Sequence, residues 1–191
     1  MPPTIRTIVL TGFMGAGKST IGGMLARTLG WEFLDADTVI EARAGKTVAE
    51  IFAQHGEEVF RALEVEAIVE VVREHAGRRN LVLALGGGAV ETEAIRKLFA
   101  AHRHACLVFL DAPLEVLVAR CLAQPAAAER PVLADRDRLL RRFNERLPYY
   151  RGAHLTISTA GLSPGEVVAR IMDVLGQHCE TAPAQRTAAS Q

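Results

Sequence analysis

The glycine-rich run at residues 12–20 constrains the fold of this chain more than any other feature. It reads Gly-Phe-Met-Gly-Ala-Gly-Lys-Ser-Thr, follows the apolar run Ile8–Leu10 and opens a segment with helical periodicity. Its glycines permit backbone conformations in which N–H groups turn toward phosphate oxygens. Between a strand and a helix, the pattern predicts a phosphate-binding P-loop rather than an ordinary glycine-rich turn.

A P-loop predicts a site for a nucleoside triphosphate. Lys18 would supply a point charge to the β- and γ-phosphates, Ser19 a hydroxyl ligand for Mg²⁺, and the following helix the positive end of its dipole. The chain has neither a DxxG after a strand nor an Asn/Thr-Lys-x-Asp sequence, which argues against a GTP switch. The residues expected to bind ATP in the loop are Gly15, Ala16, Gly17, Lys18, Ser19 and Thr20.

Composition narrows the possible partners. The 191 residues are 49% hydrophobic, enough for one well-buried core, and the 22 basic residues balance the 22 acidic ones. We therefore expect a single domain over residues 1–176, no nucleic-acid partner and no membrane association. No apolar run approaches the length of a membrane span and no signal peptide is evident, so we expect a cytoplasmic protein. Residues 177–191 are polar and aperiodic, which predicts a disordered tail.

Short apolar runs alternate with helical patterns, as in an α/β fold with a parallel sheet covered on both faces. The helix after the P-loop is expected at Lys18–Leu29. Such a sheet binds its ligands at the carboxyl ends of its strands. The predicted strands are Ile5–Leu10, Phe33–Leu34, Leu81–Leu85, Leu107–Leu110 and His154–Ile157.

Two carboxylates follow the second predicted strand. Asp35 and Asp37 are alternate residues of an extended segment, so both side chains can face the cleft beside the P-loop. Asp37 has a second interpretation, as the cap of the next helix. Thr38 and Glu41 form a candidate capping box for that helix, which would leave Asp37 free for another role.

Three further features lie along the chain. Arg61 has Glu57 and Glu64 one helical turn away on either side, which fits either surface pairing or orientation of a functional guanidinium. The glycine triplet Gly86–Gly88 is either a turn or a close backbone approach to a polar substrate. Between two helices, residues 124–131 break the helical periodicity like a mobile lid and carry Arg130, a candidate for transition-state charge.

Taken together, these motifs resemble the shikimate kinase family from about Ile8 to Ile171. The resemblance implies a nucleoside-monophosphate-kinase-like fold, with a five-stranded parallel sheet in the order 2-3-1-4-5, helices on both faces and a lid near residues 123–134. It also implies a monomer that transfers the γ-phosphoryl group of ATP, with Mg²⁺, to the 3-hydroxyl of shikimate in aromatic amino-acid biosynthesis. The motifs are the P-loop, Asp35-x-Asp37, Gly56-Glu57, Phe60-Arg61, Glu64, Leu85–Val90, Arg130-Pro131 and Arg146.

The same resemblance implies roles for single residues. Asp37 would orient the attacking hydroxyl or accept its proton, and Asp35 would support Mg²⁺ through water. Shikimate would be bound through its carboxylate by Arg61 and Arg146 and by the backbone N–H of Gly87. On the nucleotide side, Arg130 would close on ATP from the lid, and Arg120 would lie near adenine. Lys18, Asp37 and Arg130 would be the catalytic residues.

The chain departs from the family pattern in three places. Gly22-Gly23 stands where an arginine is common, residues 125–129 form an insert in the lid, and no arginine occurs near Thr159–Leu162. These differences concern nucleotide affinity and the packing of the first helix more than the reaction type. A gluconate or other small-polyol kinase, a nucleoside monophosphate kinase and a regulatory module without catalysis stay open as alternatives at this point.

Overall fold

The computed structural model describes residues 5–123 and 135–180, with side chains to residue 176. Its five strands form one parallel sheet in the order β2-β3-β1-β4-β5, which confirms the predicted topology. The strands are β1 (Thr7–Thr11), β2 (Glu32–Asp35), β3 (Leu81–Ala84), β4 (Ala105–Asp111) and β5 (Leu155–Ser158).

Helices connect the strands and cover the sheet. A short 3₁₀ turn, Ala89–Glu91, follows the glycine triplet and precedes α4. None of the helices in the described ranges is both long and apolar enough to cross a membrane. The helices are α1 (Lys18–Leu29), α2 (Ala36–Ala44), α3 (Val48–His75), α4 (Glu93–Ala101), α5 (Leu114–Leu122), α6 (Arg136–Arg151) and α7 (Pro164–Glu180).

Burial follows the position of each strand in the sheet. Every residue of the central strands β1 and β3 is buried, because helices cover both of their faces. In the edge strand β5, Leu155 and Ile157 are buried whereas Thr156 and Ser158 are exposed. The apolar runs that predicted the strands therefore form much of the core, and the strand ends differ from the prediction by at most two residues.

The first helix is continuous despite Gly22-Gly23. A Cβ atom at Gly22 would lie 2.5 Å from the ring of Phe33, so the glycine lets α1 pack closely on β2. At the neighbouring Gly23, a Cβ atom would lie 3.9 Å from the same ring, which is an ordinary contact. Helix α7 runs through Glu180 and so includes the first four residues of the predicted tail, 177–180, and residues 181–191 lie outside the described ranges.

The sheet brings the functional candidates to one edge. Leu10 of β1 pairs in register with Ala84 of β3 on one side and Val108 of β4 on the other. The chain leaves β1 and β3 at the same level, so the P-loop and the glycine triplet lie side by side. Asp35, at the end of β2, is in register with Ala84, which adds the third loop to this edge.

Candidate active site

The P-loop adopts a conformation that requires its glycines. Gly12, Gly15 and Gly17 have φ angles of 145°, 77° and 90°. At Gly15, a Cβ atom would lie 2.3 Å from the carbonyl oxygen of Leu117. Gly17 begins α1 without a side-chain cap, so the first N–H groups of the helix face the loop with no side chain bonded to them. This is the arrangement in which a helix N-terminus binds phosphate.

Lys18 crosses the loop that precedes it. Its ammonium group donates hydrogen bonds to the carbonyl oxygens of Gly12 at 2.8 Å and Phe13 at 3.2 Å. Burial of the ammonium group lowers the pKa of Lys18 to about 8, although the carboxylates of Asp37 and Asp35 oppose the shift. The cation is thus held at the centre of the loop, with acidic groups on its far side.

Asp35 links the P-loop to α2. Its Oδ2 atom accepts a hydrogen bond from the Ser19 hydroxyl at 2.6 Å, and its Oδ1 atom accepts one from the backbone N–H of Asp37 at 3.1 Å. Asp35 is therefore the N-cap of α2, and the predicted capping box of Thr38 and Glu41 is wrong. The helix begins three residues earlier than that box requires, and Glu41 instead accepts a hydrogen bond from the N–H of Val48 at 2.9 Å.

Asp37 lies in the first turn of α2 and does not cap it. Asp37 lies beside the cleft, as the sequence predicted. Its position comes from the first turn of α2 and not from an alternation of residues along a strand. Burial, together with the neighbouring Asp35 carboxylate, raises the pKa of Asp37, and Lys18 opposes this effect. A carboxyl group in this setting is a better proton acceptor than a solvated aspartate.

A cavity of about 180 Å³ lies next to Asp37, between α2, α3, the glycine triplet and α6. Asp37, Arg61, Gly87 and Arg146 all line it, so the structure brings together the four residues that the sequence assigned to the second substrate. Arg142, one helical turn before Arg146, adds a third guanidinium to the lining.

Arg61 is held by two carboxylates of its own helix. Its Nη1 atom donates to Glu64 Oε2 at 2.7 Å, and its Nη2 atom donates to Glu57 Oε1 at 2.9 Å. Glu57 is half exposed, whereas Glu64 is fully buried. Helix α3 consists of two helical segments that meet at Gly56, where φ is 79° and ψ is 178°, and Arg61 lies in the second segment.

Gly86 allows a close approach between two acidic side chains. A Cβ atom there would lie 2.5 Å from Glu64 Oε1 and 2.9 Å from Asp37 Oδ1. Glu64 Oε1 is buried and has no hydrogen-bond partner among the described residues. Burial raises the pKa of Glu64, while Arg61 acts in the opposite direction. Gly86 thus leaves room for the carboxylates of Glu64 and Asp37, and the triplet also forms a turn, in which the N–H of Ala89 donates to the carbonyl oxygen of Gly86 at 3.1 Å.

Arg146 reaches the cavity from α6 and is 5% exposed. Glu91 Oε2 accepts hydrogen bonds from its Nε atom at 2.9 Å and is 2.8 Å from its Nη2 atom. The same oxygen is 3.9 Å from Nη2 of Arg61. Sequence reasoning missed the pairing of Arg146 with Glu91, which is 55 residues away along the chain.

Arg120 is bonded to the turn after β5. Its Nη1 atom donates to Thr159 Oγ1 at 2.8 Å, and its Nη2 atom donates to the carbonyl oxygen of Thr159 at 2.6 Å. This contact joins the end of α5 to the segment where the family arginine is missing. Arg130 and nearly all of the predicted lid, with the insert at 125–129, lie outside the described residues.

Known proteins resemble this chain in sequence over most of its length. A family model described as Shikimate kinase matches residues 14–176. A curated shikimate kinase of Persephonella marina is 39% identical over 170 residues, which cover 88% of this chain and 98% of the relative. One from Thermobifida fusca is 45% identical over 159 residues, covering 83% of this chain and 88% of the relative.

Solved structures give the same result. A shikimate kinase from Acinetobacter baumannii in complex with shikimate superimposes with a TM-score of 0.79 at 34% identity, covering 92% of this chain and 96% of that one. A gluconokinase from Sinorhizobium meliloti reaches a TM-score of 0.63 at 22% identity, covering 94% and 95% of the two chains. The second likeness shows a shared fold only.

Proposed function

The chain belongs to the shikimate kinase family, and we propose that the P-loop and the adjoining cavity transfer the γ-phosphoryl group of ATP to the 3-hydroxyl of shikimate. The products are shikimate 3-phosphate and ADP, in the route to chorismate and the aromatic amino acids. The observation that carries the proposal is the adjacency of two sites. Asp37 lines the cavity that holds Arg61 and Arg146, and it also interacts electrostatically with Lys18 of the P-loop.

On the nucleotide side, the N–H groups from Gly15 to Thr20 bind the phosphates. Lys18 exchanges its bonds to the Gly12 and Phe13 carbonyl oxygens for the β- and γ-phosphates. Arg120 contributes near the base and Arg130 at the transferring group. Because the transition state of phosphoryl transfer is loose, fixed positive charge around the equatorial oxygens supplies most of the rate enhancement.

On the acceptor side, Arg61 and Arg146 bind the shikimate carboxylate, and Gly87 donates its backbone N–H. Planar guanidinium groups suit this task because each can donate two parallel hydrogen bonds to a carboxylate. Asp37 then receives a hydrogen bond from the acceptor hydroxyl and aligns its oxygen with the phosphorus atom. Its raised pKa allows it to take the hydroxyl proton as the new bond forms.

The residues near the P-loop fit a magnesium ion. Ser19 and Asp35 supply hard oxygen ligands 2.6 Å apart, and Mg²⁺ is commonly held by one or two such groups together with phosphates and water. We propose Ser19 as a direct ligand and Asp35 as a ligand through water. When bound, the ion neutralises charge on the β- and γ-phosphates. A monomeric state and a cytoplasmic location stay predictions from the sequence.

Release of ADP from Mg·ATP tests the function directly. The purified protein is incubated with shikimate, gluconate and AMP in parallel, and the Lys18→Ala variant measures contaminating activity. Release that depends on shikimate and is lost in the variant supports the proposal. Release with gluconate or AMP instead would overturn the assignment of shikimate as the substrate. ATP binding without turnover on any of the three acceptors would indicate a regulatory module.

A further inference from the structure

Glu91 brings a carboxylate to the two arginines assigned to the substrate. A single oxygen, Oε2, is bonded to Nε and Nη2 of Arg146 and lies 3.9 Å from Nη2 of Arg61. All three side chains converge on Gly88, where a Cβ atom would lie within 2.7 Å of each. Among the described residues, Glu91 is thus the one carboxylate within 4 Å of both guanidinium groups, Arg61 on α3 and Arg146 on α6.

Glu91 holds Arg146 from outside the cavity. It uses the edge of the guanidinium formed by Nε and Nη2, and it is not part of the cavity lining. The Nη1 atom is not part of this contact and lies 3.7 Å from where a Cβ atom at Gly87 would be, and the guanidinium also interacts with the hydroxyl of Tyr150. A guanidinium fixed along one edge presents the other as a preformed fork for a carboxylate.

Other acidic groups compete for Arg146 from the inside. Glu64 lines the cavity, and Glu57 is bonded to Arg61 at its border; both are close enough for Arg146 to lower their pKa. Without Glu91, a buried Arg146 would have to satisfy its Nε edge elsewhere, because an unpaired buried charge is costly. Turning toward these carboxylates would place the guanidinium in the space meant for the substrate.

We infer that Glu91 is a positioning residue that sets the acceptor specificity of this enzyme by holding the Arg146 fork open toward the substrate carboxylate. The inference rests on the proposed function, because it explains how Arg146 is oriented toward the substrate carboxylate in the same site. Glu91 carries a negative charge and would by itself repel an anion. By bonding to Arg146, Glu91 fixes the orientation of the guanidinium, and this favours anion binding more than the charge of Glu91 opposes it. The reason is that the guanidinium is nearly inaccessible to solvent and cannot reorient freely.

The test compares Glu91→Ala and Glu91→Gln with the wild type and with Glu93→Gln. Glu93 lies two residues away, is largely exposed and pairs only with Lys97 among the described contacts, so its variant is a matched control for charge. Each protein is assayed with shikimate and with the neutral carboxamide analogue of shikimate, and its melting temperature is recorded. Both acceptors are needed because the inference concerns the carboxylate alone.

We expect Glu91→Ala to raise the KM for shikimate about tenfold and Glu91→Gln about threefold, with kcat and the KM for ATP nearly unchanged. The preference for shikimate over its carboxamide should fall by the same factors. An unchanged or lowered KM for shikimate, or an equal loss with both acceptors, would overturn the role of Glu91. If the wild type and Glu93→Gln themselves fail to use shikimate, the proposed function falls, and this inference falls with it.

Discussion

The hydroxyl of Tyr150 donates a hydrogen bond to the carbonyl oxygen of Gly87, the middle residue of the glycine triplet. Tyr150 is completely buried, and its ring is stacked on Phe109 with centroids 5.2 Å apart. Burial raises the pKa of Tyr150, so the hydroxyl stays protonated and donates. This hydrogen bond fixes the orientation of the peptide group that follows Gly87. Tyr150 therefore helps to set the backbone conformation of the glycine triplet that lines the cavity.

Replacing Tyr150 with phenylalanine tests this relationship. The variant removes the hydrogen bond to the carbonyl oxygen of the half-buried Gly87, which costs roughly 0.5–1.5 kcal/mol of unfolding free energy. We expect that loss in urea denaturation, together with a several-fold rise in the KM for shikimate. Tyr149→Phe is the control, because Tyr149 is partly exposed and its ring stays available to Arg96. Equal behaviour of the two variants would contradict the assignment.

A substitution at Gly86 tests the roles of the two carboxylates beside it, Glu64 and Asp37. In Gly86→Ala, the new methyl group collides with Glu64 Oε1 and Asp37 Oδ1, which are the flexible ends of side chains. The fold can yield by moving these carboxylates, so we expect a large loss of kcat with little loss of stability. Circular dichroism and steady-state kinetics measure the two effects.

Gly176→Ala is the control for Gly86→Ala. Gly176 lies within α7, and a Cβ atom there meets nothing within 4 Å. We expect full activity and a gain of roughly 0.5–1 kcal/mol in stability, since alanine favours a helix over glycine. If Gly86→Ala retains wild-type kcat, the carboxylates near it do not take part in turnover.

Much of the fold followed from the sequence because the strands are buried. Central strands such as Leu81–Ala84 are apolar throughout, and the run itself marks the element. Helix starts were harder to predict. Both Asp35 and Thr38 are good cap residues, and only the chain direction leaving β2 decides that Asp35 caps α2.

Contacts in the site could be predicted where the partners are close in the sequence. They could not be predicted where the partners are far apart along the chain. Arg61 and Glu64 are one helical turn apart, so their pairing could be read from spacing. Glu91 and Arg146 are separated by 55 residues, and the sequence around either residue does not predict their contact. Their contact depends on how the 3₁₀ turn after the glycine triplet packs against α6.

The lowered pKa of Lys18 predicts a pH dependence of nucleotide use. An amine loses its charge as the pH rises through its pKa, which for Lys18 in the free enzyme is about 8. We therefore expect kcat/KM for ATP to fall above about pH 8, since this parameter reports groups of the free enzyme. In Lys18→Arg, the guanidinium stays charged, so the fall should disappear even if the overall rate is lower. A fall that persists unchanged in this variant would have to come from another group.

Arg146→Lys separates charge from shape at the acceptor site. Lysine keeps the positive charge but cannot bond to Glu91 along one edge while presenting a second edge to a substrate. We expect the KM for shikimate to rise roughly 10- to 100-fold, a range typical of losing one charge-assisted pair, with little change in the KM for ATP. Arg141→Lys, at an exposed position of the same helix, should leave both values near wild type. If Arg146→Lys binds shikimate as well as the wild type does, the site needs only a point charge, and the fork geometry held by Glu91 has no role in recognition.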